Sequence, residues 1–172
     1  MNPPAMLTDI DWSTWQAVDT ATLAFVIKED QILLIRKKRG LGAGKINGPG
    51  GRLENDESIF SCAVRETREE LGITPVDVRK HGELLFQFVD GYSIHVHVFR
   101  ASDLEGTPIE TEEAIPIWAP LDAVPYDEMW EDDEIWLPHL IAGNRFHGRF
   151  IFDEDAMLDH VLDIFEQDET YR

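Results

Sequence analysis

The chain has 172 residues, of which 43% are hydrophobic, enough for one domain of ordinary size with a buried core. Its formal net charge is −19 at pH 7, and a surface this acidic repels nucleic acid polymers and anionic membranes. A small phosphorylated ligand is still compatible with this charge, because a bound divalent cation can bridge carboxylates and phosphates.

The single cysteine, Cys62, excludes an intramolecular disulfide, and its place in a helical run is typical of a small buried hydrophobe. No apolar run approaches the roughly 20 residues of a membrane span. The first residues, MNPPAMLTDIDWSTW, lack the basic and apolar regions of a signal peptide. We therefore expect a cytoplasmic protein, and we expect it to act as a monomer.

Residues 1–18 have no regular pattern, and we expect an irregular extension whose Trp12 and Trp15 contact the domain that follows at 19–168. The stretch TATLAFVIKEDQILLIRKK (20–38) is rich in β-branched and aliphatic residues, which predicts two strands around a turn at Glu29 and Asp30. The glycine-rich stretch RGLGAGKINGPGG (39–51) predicts a loop.

A helix is predicted from about Ser58 to Leu71, because cap residues precede it and Gly72 follows it. The stretch HGELLFQFVDGYSIHVHVFRAS (81–102) predicts a strand pair with a turn at Asp90 and Gly91, and IPIWAPLDAV (115–124) predicts one more strand. The stretch DDEIWLPHLIAG (132–143) predicts a short helix.

The last predicted element is an amphipathic helix in DEDAMLDHVLDIFEQ (153–167). Its apolar positions recur at helical spacing and are Met157, Leu158, Val161, Leu162 and Phe165. Strands and helices are therefore mixed along the chain, which predicts an α/β fold with a mixed sheet between helices.

Two motif readings of the glycine loop fail. A P-loop needs a glycine separated by four residues from the Gly-Lys pair and Ser or Thr after the pair, whereas Arg39 and Ile46 stand there. The loop also lacks the spacing of a dinucleotide-binding fingerprint. Because it leads directly into the acidic helix, its glycines would let the backbone approach a ligand closely.

Three carboxylates form a ridge on this helix. At about 100° per residue, Glu66, Glu69 and Glu70 fall within a narrow arc, and Arg65 can pair with Glu69 four residues later. An adjacent arc is expected to pack on the sheet and comprises Phe60, Ala63, Val64, Thr67 and Leu71. Clustered acids repel one another unless a cation lies between them, and Mg²⁺ or Mn²⁺ suits oxygen ligands. The alternative is an ordinary solvated helix face.

The spacing of the helix and the preceding loop resembles the Nudix box, G-x5-E-x7-R-E-U-x-E-E-x-G-U, where U is aliphatic. Five residues separate Gly51 from Glu57, seven more precede Arg65, and the run RETREELGI follows. Every fixed position matches, and Thr67 at an aliphatic position is the one departure. The resemblance implies an α/β/α sandwich and metal-dependent cleavage of a nucleoside diphosphate linked to another group.

The same resemblance implies roles for individual residues. Glu66, Glu69 and Glu70 would hold the metal, with the Gly50 carbonyl as a further ligand, while Arg65 and Glu57 would brace loop and helix.

Further stretches resemble the MutT-homologue branch of this superfamily, which hydrolyses oxidised purine nucleoside triphosphates. They cover about residues 20–163 and are KKRGLGAGKINGPGGR, GTPIETEE, DEMWEDDEIWLP, RFHGRF and LDHVL. This resemblance implies hydrolysis of 8-oxo-dGTP, and of 2-hydroxy-dATP, to the monophosphate and pyrophosphate. Two alternatives stay open: a Nudix hydrolase for unmodified or methylated purine triphosphates, ADP-ribose or RNA ends, and a non-catalytic nucleotide- or protein-binding Nudix module.

On this reading, water attacks a phosphorus atom while the metal stabilises the leaving pyrophosphate. Lys37 is expected to reach phosphate or sugar. Glu110 is the preferred candidate for an extra metal ligand or base, with Glu112 and Glu113 as substitutes.

A purine base needs a stacking platform and polar groups that match its edge. Trp130 and Phe86 are the candidate platforms, and Asp132 and Asp133 can accept hydrogen bonds, or donate if burial keeps one protonated. The remaining candidates around the base are Asn47 and Thr22. The alternatives are that Trp130 belongs to the core and that the two aspartates cap a helix.

Some positions depart from the animal members of this branch. Leu41, Ile46 and Pro49 stand where those members carry aromatics, and Glu131 stands where proline is expected. His95 and His97 lie two apart on a predicted strand and would face one way, which is half of a zinc site without a further clear partner in the sequence.

Overall fold

A computed structural model describes residues 3–165 of the chain. Two helices form, at Ile59–Leu71 (α1) and Asp133–Ile141 (α2), together with single 3₁₀ turns at Leu7–Asp9 and Tyr126–Glu128. The strands are β1 (Asp19–Lys28), β2 (Gln31–Lys37), β3 (Ile46–Asn47), β4 (Gly50–Arg52), β5 (Thr74–Val76), β6 (Arg79–Phe88), β7 (Ser93–Ala101), β8 (Asp103–Glu105), β9 (Ala114–Pro120), β10 (Arg145–Asp153) and β11 (Ala156–Phe165).

Nine of these strands form one mixed sheet, in which the order β11-β10-β6-β7-β1-β2-β3 is joined by β4 beside β1 and β9 beside β2. The pairs β1–β7 and β10–β6 are parallel, and the remaining pairs in this sheet are antiparallel. Strands β5 and β8 form a separate small ribbon. The predicted α/β class with a mixed sheet is confirmed.

The helices cover opposite faces of the sheet. On one face, Trp136 and Leu137 of α2 pack with Phe25 and Phe150 in the largest hydrophobic cluster. On the other face, Ala63 of α1 packs against β1 and β7. Strand residues alternate between the two faces, so each strand contributes to both layers. This alternation decides which side chains reach the functional site.

The ends of α1 agree with the sequence prediction. The Ser58 hydroxyl accepts a hydrogen bond of 3.1 Å from the Ser61 N–H, and Gly72 ends the helix with a φ of +71°. One packing prediction is wrong, because the side chain of Phe60 is half exposed and only its edge meets Phe99. Cys62 lies completely buried at the sheet instead.

The predicted C-terminal helix at 153–167 is wrong over its described part, because residues Ala156–Phe165 form strand β11. β11 pairs antiparallel with β10 along its full length after a tight turn in which Glu154 has a φ of +52°. Its apolar spacing fits a helix, but the hairpin ladder to β10, with one register shift, satisfies the backbone groups on the paired side of this edge strand. Pairing with the preceding strand therefore overrides the local period. Residues 166 and 167 of that prediction lie outside the described part.

The extension before residue 19 contacts the sheet through both tryptophans, as expected. The indole N–H of Trp15 donates to Gln87 Oε1 at 2.8 Å, and the Arg149 guanidinium lies 5.4 Å from the Trp12 ring centre. Both contacts fall on the face that α1 covers in part. No helix in residues 3–165 is long and apolar enough to cross a membrane.

Candidate active site

A cavity of about 930 Å³ opens between α1, the glycine loop and the start of α2. One end is acidic and is lined by Glu66, Glu69, Glu70, Glu112 and Glu113. The other end is aromatic and is lined by Phe86, Phe88, Trp130, Trp136 and Phe152, with Asp132 and Asp133 beside them. The cavity therefore joins, in one space, two kinds of surface that lie far apart in the sequence.

Close backbone approach fixes the acidic end. A Cβ atom on Gly51 would lie 2.3 Å from the Glu66 carboxyl carbon, so any other residue there would displace this side chain. The Gly50 N–H donates to Glu70 Oε2 at 3.3 Å. These contacts explain why glycines occupy two successive positions of β4.

Arg65 organises the ridge. Its guanidinium donates to both carboxylate oxygens of Glu57, at 2.6 and 2.9 Å, and to Glu66 Oε1 at 2.8 Å. The predicted pair with Glu69 is also present, at 3.2 Å. The hydrogen bonds from Arg65 lower the pKa of Glu57 to about 2, whereas the same partners raise the pKa of Arg65. The position of Glu66 is thus held through a neighbour that stays charged at every ordinary pH.

The ridge carries more negative charge than its protein partners offset. Burial, with a smaller contribution from the nearby Glu66 carboxylate, raises the pKa of Glu70 to about 8 against the opposing hydrogen bond from Gly50. Burial also raises the pKa of Glu66. Both carboxylates are therefore poorly solvated, and a divalent cation would restore their charged forms. Their oxygen atoms fit Mg²⁺ or Mn²⁺ as ligands, and Gly50 lines the same cavity.

Glu110, the preferred candidate for an extra metal ligand or base, does not line the cavity. Its exposed carboxylate faces Lys38 at 3.4 Å. Glu112 and Glu113 line the cavity instead, and Arg39 pairs with Glu113 and lowers the pKa of its carboxyl. The loop after β8 carries all three acids, so sequence spacing alone does not tell which one turns inward.

Two predicted aspartates lie beside the aromatic end of the cavity. Asp132 and Asp133 are each only 3% exposed. Asp132 Oδ2 accepts a 2.7 Å hydrogen bond from the Trp136 indole, while Asp133 Oδ2 is buried without a hydrogen-bond partner. Burial raises the pKa of Asp132 to about 6, and burial beside Asp132 raises that of Asp133 as well. Asp132 makes no side-chain cap bond, although it precedes α2, so capping does not explain the pair.

Trp130 forms one wall of the aromatic end. Its ring meets Phe88 and Phe152 edge to face, at centroid distances of 6.3 and 5.7 Å. Lys45 lies 5.2 Å above the ring, and a Cβ on Gly42 would lie 2.8 Å from its indole nitrogen. The ring is half buried and lines the cavity, so it packs on the core and still presents surface to a ligand.

The remaining predicted residues also line the cavity. Lys37 lies at the end of β2, and Asn47 Oδ1 accepts from the Gly48 N–H at 2.8 Å. Thr22 is buried with its hydroxyl 3.3 Å from Cys62 Sγ. Phe86 stacks on Phe150 at 5.1 Å. Of the thirteen positions predicted for the site, Arg65 does not line the cavity but contacts Glu66 beside it, and Glu110 lies away from it.

Sequence reasoning missed two aromatic walls, Phe88 and Phe152. Phe152 belongs to β10, which pairs in parallel with β6 through the register Phe152–Phe88. Like Phe86 and Phe150, which precede them by two residues on the same strands, both side chains point to the sheet face that α2 covers. The alternation within each strand was readable, but the pairing of two strands about 60 residues apart was not.

Known proteins were compared with the chain. The sequence model of the NUDIX domain family matches residues 18–140. An oxidized purine nucleoside triphosphate hydrolase of Danio rerio is 41% identical over 147 residues, which span 84% of this chain and 94% of that protein. The protein of the same name from Mus musculus is 41% identical over 143 residues, 82% of this chain and 92% of its own length.

A solved structure of a MutT protein from Bacillus halodurans superposes with a TM-score of 0.77 at 28% identity and covers 85% of this chain and 98% of that one. The fold thus agrees with that of a known structure over most of the molecule. The chain belongs to the Nudix hydrolase family, whose members generally depend on divalent metal ions.

Proposed function

We propose that this enzyme hydrolyses oxidised purine nucleoside triphosphates, such as 8-oxo-dGTP and 2-hydroxy-dATP, to the monophosphate and pyrophosphate. The observation that carries the proposal is the single cavity, with carboxylates at one end and an aromatic wall beside two buried aspartates at the other. The names of the two animal relatives support the same substrate class. Removal of such nucleotides would cleanse the nucleotide pool.

At the acidic end, Glu66, Glu69, Glu70 and the Gly50 carbonyl would hold Mg²⁺, or Mn²⁺ in its place. The bound ion would neutralise the triphosphate and stabilise the leaving pyrophosphate. Arg65 keeps Glu66 in place through the hydrogen bond described above. Lys37 projects into the same space, where its ammonium can contact a phosphate oxygen.

A carboxylate is also needed to orient the attacking water and accept its proton. Glu112 and Glu113 line the cavity, and we assign this role to one of them in preference to Glu110. Glu113 is kept ionised by Arg39, because the pairing lowers its pKa, so it can accept a hydrogen bond but is a weak base. Glu112 carries no such pairing among the contacts described and is the preferred base.

At the aromatic end, Trp130 would stack on the purine, and Asp132 and Asp133 would bind its edge. Because burial raises both pKa values, one proton can be retained between the two carboxyls near neutral pH. The pair can then donate one hydrogen bond and accept others. This combination can match the polar edge of an oxidised guanine as well as that of an oxidised adenine. Asn47, Phe86 and Thr22 complete the wall.

The test is release of pyrophosphate in the presence of Mg²⁺ from 8-oxo-dGTP, 2-hydroxy-dATP, O6-methyl-dGTP, dGTP, dATP, ADP-ribose and triphosphorylated RNA. We expect kcat/KM for the oxidised purines to exceed that for dGTP by at least about tenfold, the effect of roughly 1.4 kcal/mol of selective binding. A preference for ADP-ribose or for unmodified triphosphates would contradict the substrate assignment. Activity as a monomer and a cytoplasmic location stay predictions.

A further inference from the structure

A second group of metal-ligating side chains lies outside the cavity. Glu83 on β6 and His95 and His97 on β7 place one ligand atom each within 4.8 Å of one another. The neighbouring residues Ile94 and Val96 line the cavity. Because successive strand residues point to opposite faces, the two histidines project from the face of the sheet that does not carry the cavity.

The three ligand atoms are already close to a common point. His95 Nε2 lies 2.9 Å from Glu83 Oε1, and His97 Nδ1 lies 3.5 Å from the same oxygen. A tetrahedral zinc ion with bonds of about 2.0–2.1 Å separates its ligands by about 3.3 Å, so small side-chain rotations suffice. The two imidazole rings stack at 4.4 Å, which keeps both on the same side of Glu83.

One of these atoms lacks a hydrogen bond. His97 Nδ1 is buried and has no hydrogen-bond partner, and the His97 side chain is only 12% exposed. Burial lowers the pKa of His97 to about 4, so its imidazole is neutral at pH 7 and offers a lone pair. A buried polar atom without a partner destabilises a fold, and a bound metal ion would remove that cost.

Other charged groups face the same cluster. Lys80 Nζ lies 3.3 Å from Glu83 Oε2, the carboxylate oxygen that does not contact the histidines. His147 on β10 is in register with Glu83 on its other side, and Asp163 on β11 is in register with His147. Burial lowers the pKa of His147, so it adds no positive charge at pH 7. Lys80 is thus the cation that competes with a metal for Glu83.

We propose that Glu83, His95 and His97 form a second metal site, which binds Zn²⁺ or a similar transition metal ion on the face opposite the cavity. Two imidazole nitrogens and one carboxylate oxygen favour Zn²⁺ over Mg²⁺, which prefers oxygen ligands. The site would leave the fourth position to water. Since its ligands lie on two adjacent strands, the ion would link β6 to β7 and stabilise the sheet. The inference does not depend on the proposed substrate.

Zinc binding to the full chain is measured by calorimetry and by thermal unfolding, in millimolar Mg²⁺ so that the carboxylate ridge is occupied by the competing ion. We expect one bound Zn²⁺, and a Tm rise of about 5–10 °C at a hundredfold excess over Kd. Glu70→Gln should bind Zn²⁺ as the wild type does, because Glu70 lines the cavity and is not one of the three proposed ligands.

The variants His95→Asn and His97→Asn should weaken zinc binding at least about tenfold and reduce the Tm rise at the same zinc concentration to about half or less, since each removes one ligand. His160→Asn is the matched control, because this exposed histidine lies outside the cluster. Circular dichroism and unchanged turnover with Mg²⁺ show that the variants fold. A wild type that binds no Zn²⁺, or zinc binding that survives in both cluster variants, would overturn the proposal. So would binding lost in Glu70→Gln.

Discussion

The two ends of the cavity reach their geometry in different ways. The acidic end is local, since a glycine loop and one helix within residues 50–70 supply the ridge, and fixed spacing along a helix determines where its carboxylates lie. The aromatic end is assembled from β6, β10 and the segment before α2, which meet only in the folded sheet. On the proposed function, the chemistry of this enzyme is therefore encoded in one motif and its base selection in the fold.

The largest effect is expected for Glu70→Gln. Loss of a metal-holding carboxylate should lower kcat by about 10³-fold or more on every substrate, comparable to the loss of a strong electrostatic contribution to the transition state. Glu69→Gln should follow the same pattern, and Glu54→Gln, an exposed acid before the helix, is the control. If Glu70→Gln retained more than a tenth of wild-type turnover, the ridge would not hold the reacting metal.

Glu70→Gln should also change the stability of the metal-free protein. The folded-state pKa of Glu70 is about 8 against an ordinary value of 4.5, so the metal-free protein loses stability as pH rises from 4.5 through 8. Glu70→Gln removes this loss and should raise the metal-free Tm at pH 8 by at least about 2 °C, the shift that roughly 1 kcal/mol produces in a chain of this size. Differential scanning fluorimetry of the metal-free wild type and variant at pH 5 and pH 8 measures this difference in Tm. A difference between the two proteins that is the same at both pH values would show that the raised pKa of Glu70 is not its cause.

The next effect concerns the aromatic end. Asp133→Asn fixes an amide where a shared proton is proposed, and should lower kcat/KM for 8-oxo-dGTP by about tenfold to a hundredfold, the cost of roughly 1–3 kcal/mol for a mismatched buried polar group. Its effect on dGTP should be smaller. Glu134→Gln, an exposed acid one residue further along α2, serves as the control. Equal losses on both nucleotides would assign Asp133 a purely structural role.

A third comparison separates the acids of the loop after β8. Glu112→Gln should lower kcat about tenfold to a hundredfold, in the lower range for removal of a general base. Glu110→Gln should change kcat by less than about twofold, because its exposed pair with Lys38 contributes little. Steady-state kinetics in Mg²⁺ measure both. A larger loss of kcat in Glu110→Gln than in Glu112→Gln would instead assign the role of general base to Glu110.

The smallest effect is expected for Trp130→Phe. A phenyl ring keeps part of the stacking surface, so KM for 8-oxo-dGTP should rise by a few-fold while kcat stays unchanged, whereas Trp130→Ala should raise KM further, by about tenfold for roughly 1–3 kcal/mol of stacking. A fall in kcat with unchanged KM would show that this ring does not bind the base.

Sequence predicted most of what is local. The capped helix α1, its carboxylate ridge and the hairpins at Asp30 and Gly91 follow from short-range spacing, and the structure agrees. It failed where a partner strand, neighbouring or distant in the chain, determines the conformation or the contact. Strand β11 has the apolar period of a helix but completes a ladder with β10, and Phe152 meets Phe88 only because β10 lies beside β6.

The histidine cluster shows the same limit on what the sequence alone can predict. His95 and His97 were readable as half of a metal site, but Glu83 enters through the β6–β7 register, which the sequence does not state. The turn of Glu112 and Glu113 into the cavity is likewise set by the loop conformation after β8. Residue types were therefore predictable at these positions, and their partners were not.

The most direct test of the central claim is the ratio of kcat/KM for 8-oxo-dGTP to that for dGTP, measured with Mg²⁺ in the wild type, Glu70→Gln and Asp133→Asn. If the acidic end performs the chemistry and the aromatic end selects the base, Glu70→Gln should lower both kcat/KM values and leave their ratio unchanged. Asp133→Asn should reduce the ratio by about tenfold or more. A ratio that falls in Glu70→Gln, or that survives in Asp133→Asn, would contradict the division of the cavity.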